Sequence, residues 1–126
     1  MTNVAGIALT GMTAATLKLG ASASNLANID DIAPVGAVGY APVGVQATSL
    51  LGGGVSATAV TLKPPSFLAY APTSPVANVQ GMVEKPEIDP ISEVGNQIQA
   101  GQAYAFQLKS LQVDDETEQS LLDMVA

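Results

Sequence analysis

Small and apolar side chains recur with helical spacing near the start of the chain. Residues 3–29 contain no proline, and the positions that recur there alternate between intervals of four and three residues. They are Met1, Ala5, Ala8, Met12, Ala15, Leu19, Ser22 and Leu26. This pattern predicts an N-terminal helix within residues 1–29, with Thr2 or Asn3 as its N-cap. An ordinary core helix of a globular domain has the same pattern, and that alternative stays open.

A second seam with the same spacing lies in residues 89–126. Asp89 is suited to cap a helix there, and Pro90 suits the first helical position. The run Asp114–Glu118 places like charges close together, which predicts that this end frays or stops early, or that it is a solvated helix face. The seam consists of Ile91, Val94, Ile98, Gly101, Ala105 and Leu108.

The segment between the two seams, residues 30–88, has a different character. It holds seven of the eight prolines, so it cannot be a continuous helix. Short strands are predicted at Gly39–Ala47, Val55–Leu62 and Phe67–Tyr70, and Gly52–Gly54 can turn a hairpin or be a flexible link. The predicted fold is mainly α. The two terminal helices pair as an antiparallel coiled coil in one domain, and residues 30–88 form a small β-rich or irregular insert.

Composition excludes most chemistry. The 126 residues include no Cys, no His and no Arg, so the commonest general base, thiolate ligands and a basic patch for phosphate contacts are missing. We therefore expect no enzyme activity, no cofactor, no metal site and no nucleic-acid partner. The net charge of −7 lies wholly in residues 64–126. Of the hydrophobic residues, 20 are Ala, which bury little area each, so we expect neighbouring subunits to supply much of the stability.

The apolar N-terminal segment raises the question of a membrane. No basic residue precedes Lys18, so a cleavable secretory signal is not expected. Lys18 and seven Ser, Thr or Asn residues between Thr10 and Asn28 disfavour a spanning helix, so we expect no direct membrane insertion. A membrane-anchored helix using residues 4–29 is the weakest alternative.

Motifs near both ends of the chain are more specific than its composition. The predicted N-terminal helix contains Gly11-Met12 and, near its end, the sequence ASNLAN at Ala23–Asn28. Gly39-Tyr40 follows after the helix. Toward the C-terminus, the Pro-containing segment Tyr70–Ile88 leads into a helix start at Glu93–Tyr104. These motifs resemble the bacterial flagellar axial proteins, the rod and hook family, and most closely its proximal rod type. The acidic C-terminal segment after Val113 departs from the Lys-containing ending of that family.

The resemblance implies a structural subunit of the proximal rod of the flagellar basal body, which assembles helically and transmits torque from rotor to hook. It implies a periplasm-spanning location, type III export without a cleaved signal, and as partners further copies, other rod proteins, rotor (MS) ring components and the export apparatus. A non-flagellar secreted or phage-tail-like axial protein is the alternative. The expected subunit-interface residues are Met12, Ala15, Leu19, Asn25, Leu26, Asn28, Ile98, Gly101, Ala105 and Leu108.

Overall fold

Two long helices flank two small β-hairpins in a computed structural model that describes residues 4–37 and 39–125. The N-cap predicted at Thr2 or Asn3 lies outside the described residues, as does Met1. In chain order the elements are α1 (Val4–Ala27), β1 (Val43–Ser49), β2 (Val55–Thr61), β3 (Ser66–Tyr70), β4 (Met82–Pro86) and α2 (Pro90–Val125). Two terminal helices and a small β insert are therefore confirmed.

α2 begins where its capping residues predict. Asp89 accepts hydrogen bonds from the backbone N–H groups of Ile91 and Ser92, both at 3.2 Å, and from the Ser92 hydroxyl at 2.6 Å. The bond from the Ser92 hydroxyl, aided by those two N–H groups, holds the pKa of Asp89 below its ordinary value. The cap is thus ionised at neutral pH, as the positive end of the helix dipole favours.

The acidic run does not interrupt α2. The helix continues through Asp114–Glu118 to Val125, so of the two predicted alternatives this run is the solvated helix face and not an early stop. The carboxylates are largely solvent-exposed, and a like-charge pair one turn apart costs an isolated helix only about 0.2–0.5 kcal/mol. That cost is small beside the favourable backbone hydrogen bonds of a 36-residue helix, so it does not stop α2.

Each pair of strands forms a separate antiparallel sheet. β1 pairs with β2 from Val43 opposite Thr61 to Ser49 opposite Val55, so the glycine-rich segment does turn a hairpin. β3 pairs with β4, a strand that the hydrophobic pattern did not predict. On its other edge, β4 exchanges two backbone hydrogen bonds with Ala33. The Ala33 N–H donates to the Glu84 carbonyl at 3.0 Å, and the Glu84 N–H donates to the Ala33 carbonyl at 2.9 Å. The β3–β4 hairpin is thereby tied to the loop that leaves α1.

α1 and α2 pack side by side and run in opposite directions. Ser22 bonds to Glu93, Lys18 bonds to Gln99, and Gly11 lies against Gln107. Residue numbers thus decrease along α1 as they increase along α2. Few apolar side chains are buried. Among the described residues, the buried apolar side chains are Ala8, Ala15, Ala33, Pro42, Val83, Pro86 and Ala100.

The accessible surface is large for the mass of the chain. It measures 8410 Å², whereas a folded monomer of 12.7 kDa is expected to expose about 6200 Å². The excess arises because the long helices stand partly uncovered and because alanine dominates the core. A chain that buries this little apolar surface gains little hydrophobic stabilisation by itself.

α1 is the one described helix that is long and apolar enough to cross a membrane by length and composition. Only 11% of its apolar window is buried inside the chain. Core helices of soluble proteins and N-terminal signal sequences meet the same criterion, so it assigns no membrane role to α1.

The turn of the β1–β2 hairpin rests on α1. The backbone N–H of Val55 donates to the Thr10 hydroxyl oxygen at 3.1 Å, and that hydroxyl donates to the Ile7 carbonyl at 2.7 Å. Gly54 has a φ of +85°, and a Cβ built on it would lie 2.5 Å from the Thr10 hydroxyl oxygen. Glycine is therefore required here both by conformation and by the closeness of the helix.

We expect Gly54→Ala to loosen the hairpin from α1. The left-handed conformation costs a non-glycine residue roughly 1–2 kcal/mol, and the clash with Thr10 adds to that. Hydrogen exchange of the β1–β2 amides should accelerate by at least about tenfold, which corresponds to 1.4 kcal/mol. Gly52→Ala is the control, because a Cβ there meets nothing within 4 Å. Equal exchange rates in the two variants would contradict the assigned contact.

Candidate functional site

A buried amide at the end of α1 ties three parts of the chain together. Asn25 is only 1% exposed. Its Oδ1 accepts from the backbone N–H of Val43 at 2.8 Å, and its Nδ2 donates to the carbonyl of the same residue at 2.8 Å. Nδ2 also donates to Oε1 of Glu93 at 2.8 Å. The side chain thus bonds the first residue of β1 much as a neighbouring strand would, while it holds the first turn of α2.

Tyr40 completes the hydrogen bonding of this amide. Its hydroxyl lies 2.9 Å from Asn25 Oδ1 and 3.0 Å from the Ser24 hydroxyl. Because Oδ1 can only accept, the tyrosine proton points to it, and Ser24 is left to donate. The two acceptor and two donor positions of Asn25 are then all used. An asparagine with every position satisfied has one orientation, so this contact is specific in geometry.

Ser22 and Glu93 form the inner side of the same site. The Ser22 hydroxyl, which is 2% exposed, donates to the backbone carbonyl of Glu93 at 2.7 Å. The Glu93 side chain is buried, and its Oε2 has no partner among the described residues. The carboxylate sits in the first turn of α2, where the helix dipole favours negative charge. We call Ser22, Asn25, Tyr40 and Glu93 the polar junction.

The loop that brings Tyr40 to the junction is itself held in place. The Tyr40 backbone N–H donates to Asp31 at 2.8 Å, and the Asp31 N–H donates to the Asn28 carbonyl at 3.0 Å. The Asn28 amide donates to the Ser24 carbonyl at 2.8 Å. Asn25 and Asn28 thus both bind backbone groups, but Asn28 only caps the end of α1, whereas Asn25 reaches Val43.

The polar junction is a structural site. It brings the ASNLAN motif, the Gly39-Tyr40 motif and the start of α2 into one network of hydrogen bonds, although these segments are 15–71 residues apart. Within residues 4–37 and 39–125, no three His, Cys, Asp or Glu side chains are grouped so that they could hold a metal ion. The hydrogen bonds of the junction hold three segments of the chain together.

The residues expected at a subunit interface divide into two groups. Ala15 and Asn25 are buried within the chain, and Met12, Leu26 and Asn28 are half-buried. The other five are exposed, including Leu19 at 42% and Ile98 at 56%. These five are Leu19, Ile98, Gly101, Ala105 and Leu108. Of the α1 seam, Ala8, Ala15 and Ser22 are therefore buried within the chain, whereas Ala5 and Leu19 are exposed.

An apolar groove lies along the outside of the helix pair. It combines two adjoining open depressions of about 520 and 320 Å³, which share Thr16 and Tyr104. We call the whole the outer groove. The interface residues predicted from the sequence that line it are Met12, Ala15, Leu19 and Gly101, and the lining residues that were not predicted are Leu9, Thr13, Thr16, Leu17, Gly20, Ala21, Ala100 and Tyr104. The heptad spacing misses most of these because they lie on the face of α1 beside the seam.

The chain resembles proteins of known type along most of its length. Residues 79–124 match the family described as flagellar basal body rod FlgEFG protein C-terminal. Flagellar basal-body rod protein FlgC of Buchnera aphidicola subsp. Acyrthosiphon pisum (strain APS) is 32% identical over 117 residues, which cover 86% of each chain. The protein of the same name from Salmonella typhimurium is 30% identical, and that from Escherichia coli O6:H1 is 29% identical, each over 115 residues and 86% of both chains.

Proposed function

Because this chain belongs to the flagellar basal-body rod protein family, it is a structural subunit of the flagellar rod, and we propose that it occupies the proximal rod and transmits torque toward the hook. It is not an enzyme, and it assembles with other rod proteins in the basal body. Membership of this family replaces the alternative that the sequence alone left open, a non-flagellar axial protein.

The observation that carries the proposal is the exposed apolar surface of the paired helices. A rod grows by open, head-to-tail contacts, in which a patch on one subunit meets a different patch on the next. The outer groove is such a patch, since Leu19 and Tyr104 are both 42% exposed on its wall. The accessible surface of 8410 Å² leaves ample apolar area for neighbours to cover.

The proposed interface consists of the ten residues expected from the sequence, with Tyr104 added. Of these, the buried Ala15 and Asn25 contribute by holding the two helices together rather than by direct contact with a neighbour. Further support comes from alanines at the contact between the helices, because small side chains allow close packing and dense interiors transmit strain. A shaft that carries torque needs both properties.

We propose that residues 1–29 and 89–126 act as one coiled-coil domain with residues 30–88 as its insert. The opposite directions of α1 and α2 and the seam of Ala8, Ala15 and Ala100 support this domain. The polar junction fixes the start of β1 to the helix ends, so the orientation of the β1–β2 sheet follows that of the helix pair.

The partners we propose are further copies of this chain, other rod proteins, rotor (MS) ring components and the type III export apparatus. The proposed location is the periplasm-spanning rod, reached without a cleaved signal peptide and without direct insertion into the membrane. The net charge of −7 supports the absence of a nucleic-acid partner, since phosphates would be repelled.

Deletion of the gene, followed by purification of basal bodies from complemented cells, tests this function. We expect the deletion to abolish swimming and the complementing chain to be recovered in the basal-body fraction, because a missing rod subunit interrupts the shaft. The same strain with an empty vector is the control. Normal swimming of the deletion strain, or a chain found only outside basal bodies, would overturn the proposed function.

A further inference from the structure

The C-terminal part of α2 extends beyond Val4, the first described residue of α1. α2 has 36 residues against 24 in α1, which makes it about 18 Å longer. Val4, the first described residue of α1, bounds an open groove of about 470 Å³ together with Val113 and Thr117 of α2. Beyond that level the described part of α1 supplies no neighbour. We call residues 118–125 the tail.

An apolar stripe continues from this groove into the tail. Phe106, Val113, Leu121 and Met124 are spaced by seven, eight and three residues, which places them on one face of a helix. They are 72, 50, 56 and 83% exposed. We call these four residues the tail stripe. Thr117 lies on the same face between Val113 and Leu121, so the stripe is apolar on both sides of one hydroxyl. Several exposed apolar residues on one face mark an interaction surface, whereas single ones do not.

Acidic residues border the tail stripe on both sides. At 3.6 residues per turn, Asp114 and Glu118 fall on one side of it, and Glu116 and Asp123 fall on the other. None of the four belongs to the one ion pair found among the described residues, which joins Lys85 to Asp30. An apolar centre with a polar border is the usual anatomy of a protein interface. Lys109 lies on the Glu116 side of the stripe between Phe106 and Val113, so the border is wholly negative only beyond Val113.

The charge of this border selects among possible occupants. A second copy of this chain offers only four lysines and no arginine, and three of the lysines already bond to Gln99, Asp30 and Gln112. Two tails placed together would oppose carboxylates to carboxylates, and like charges across an interface cost several kcal/mol. An anionic membrane surface would be repelled in the same way.

We propose that the tail stripe docks on a basic helix of a different rod protein. Apolar side chains of that helix cover Leu121 and Met124, and its lysines and arginines face the acidic border. The placement of this partner in the rod rests on the proposed function, whereas its chemistry rests on the tail alone. The tail thereby gives the chain a neighbour that a second copy cannot replace.

Photo-cross-linking of the full-length chain in motile cells tests this docking. The photoreactive residue p-benzoylphenylalanine replaces Leu121, and adducts are purified with basal bodies and sequenced by mass spectrometry. We expect an adduct with a peptide of a different protein that carries Lys or Arg within a helical turn of the linked residue. Glu118→Lys should lower the adduct yield about tenfold by placing like charges at the interface. Glu87→Lys makes the same change of charge at an exposed site outside α2 and should leave the yield unchanged.

The outcomes separate this inference from the proposed function. An adduct with a second copy, an adduct within the chain, no adduct, or equal yields in the two variants overturns the docking if the chain is present in basal bodies. If the chain is absent from basal bodies, the proposed function fails, and the location of the partner in the rod fails with it.

Discussion

Cells that carry Leu19→Asp in this chain are expected to be non-motile while the variant is expressed at the normal level. Leu19 is 42% exposed and lies in the outer groove beside Gly101 and Tyr104. In the free chain the new carboxylate remains in water, so the helix pair should still fold. In an assembled rod a neighbour would cover it, and an unpaired buried charge costs about 3–5 kcal/mol. That cost would be repeated at every subunit of the stack.

Swimming in soft agar and the amount of chain in purified basal bodies measure this effect. Leu51→Asp is the matched control, because it makes the same chemical change at a fully exposed residue in the turn of the β1–β2 hairpin. We expect Leu51→Asp cells to swim normally. If Leu19→Asp cells also swim normally, the outer groove is not a subunit interface. A loss of helix content in purified Leu19→Asp protein would instead point to a role in folding.

Asn25→Asp is expected to lower the stability of the free chain more than other polar substitutions. The new side chain can still accept from Val43 and Tyr40, but it loses both donations, to the Val43 carbonyl and to Glu93. It also places a second carboxyl group against that of Glu93 inside the protein. A broken buried polar contact of this kind costs about 3–5 kcal/mol, a large part of the 5–15 kcal/mol by which domains are usually stable.

Thermal unfolding followed by circular dichroism measures the loss. Asn28→Asp is the control, since Asn28 makes a single bond to Ser24 at the end of α1 and should cost no more than about 0.5–1.5 kcal/mol. Adding Glu93→Gln to Asn25→Asp should recover part of the stability, because the new amide can donate to the new carboxylate. Equal melting temperatures for Asn25→Asp and Asn28→Asp would contradict the assignment of Asn25 as the centre of the polar junction.

Local signals in the sequence predicted the helices well. Asp89 and Pro90 mark the start of α2, because a cap and an N-terminal proline act on the residues next to them. The three adjacent glycines and their flanking β-branched residues likewise predict the β1–β2 hairpin. The prediction failed for β4, because Met82–Pro86 has no alternating pattern and becomes a strand only through pairing with β3 and Ala33.

The interface was harder to predict than the fold. Heptad spacing places Ala15 and Leu19 on one seam, yet Ala15 is buried against α2 and Leu19 faces outward. The spacing identifies a helical face but does not determine which part of that face the second helix covers. That division depends on how closely the two helices approach, which the small residues Ala8 and Ala100 permit.

The sequence by itself determined the two terminal helices and the first three strands between them, the absence of side chains for common catalytic chemistry, the location of the negative charge and the family resemblance. All of these depend on residue identity and on neighbours within a few turns. Only the tertiary structure decided that Asn25 bonds Val43 and Glu93, 18 and 68 residues away, and that the tail extends beyond α1. Hydrogen bonds between distant segments and the register of two helices arise from packing in three dimensions, which no local pattern along the chain encodes.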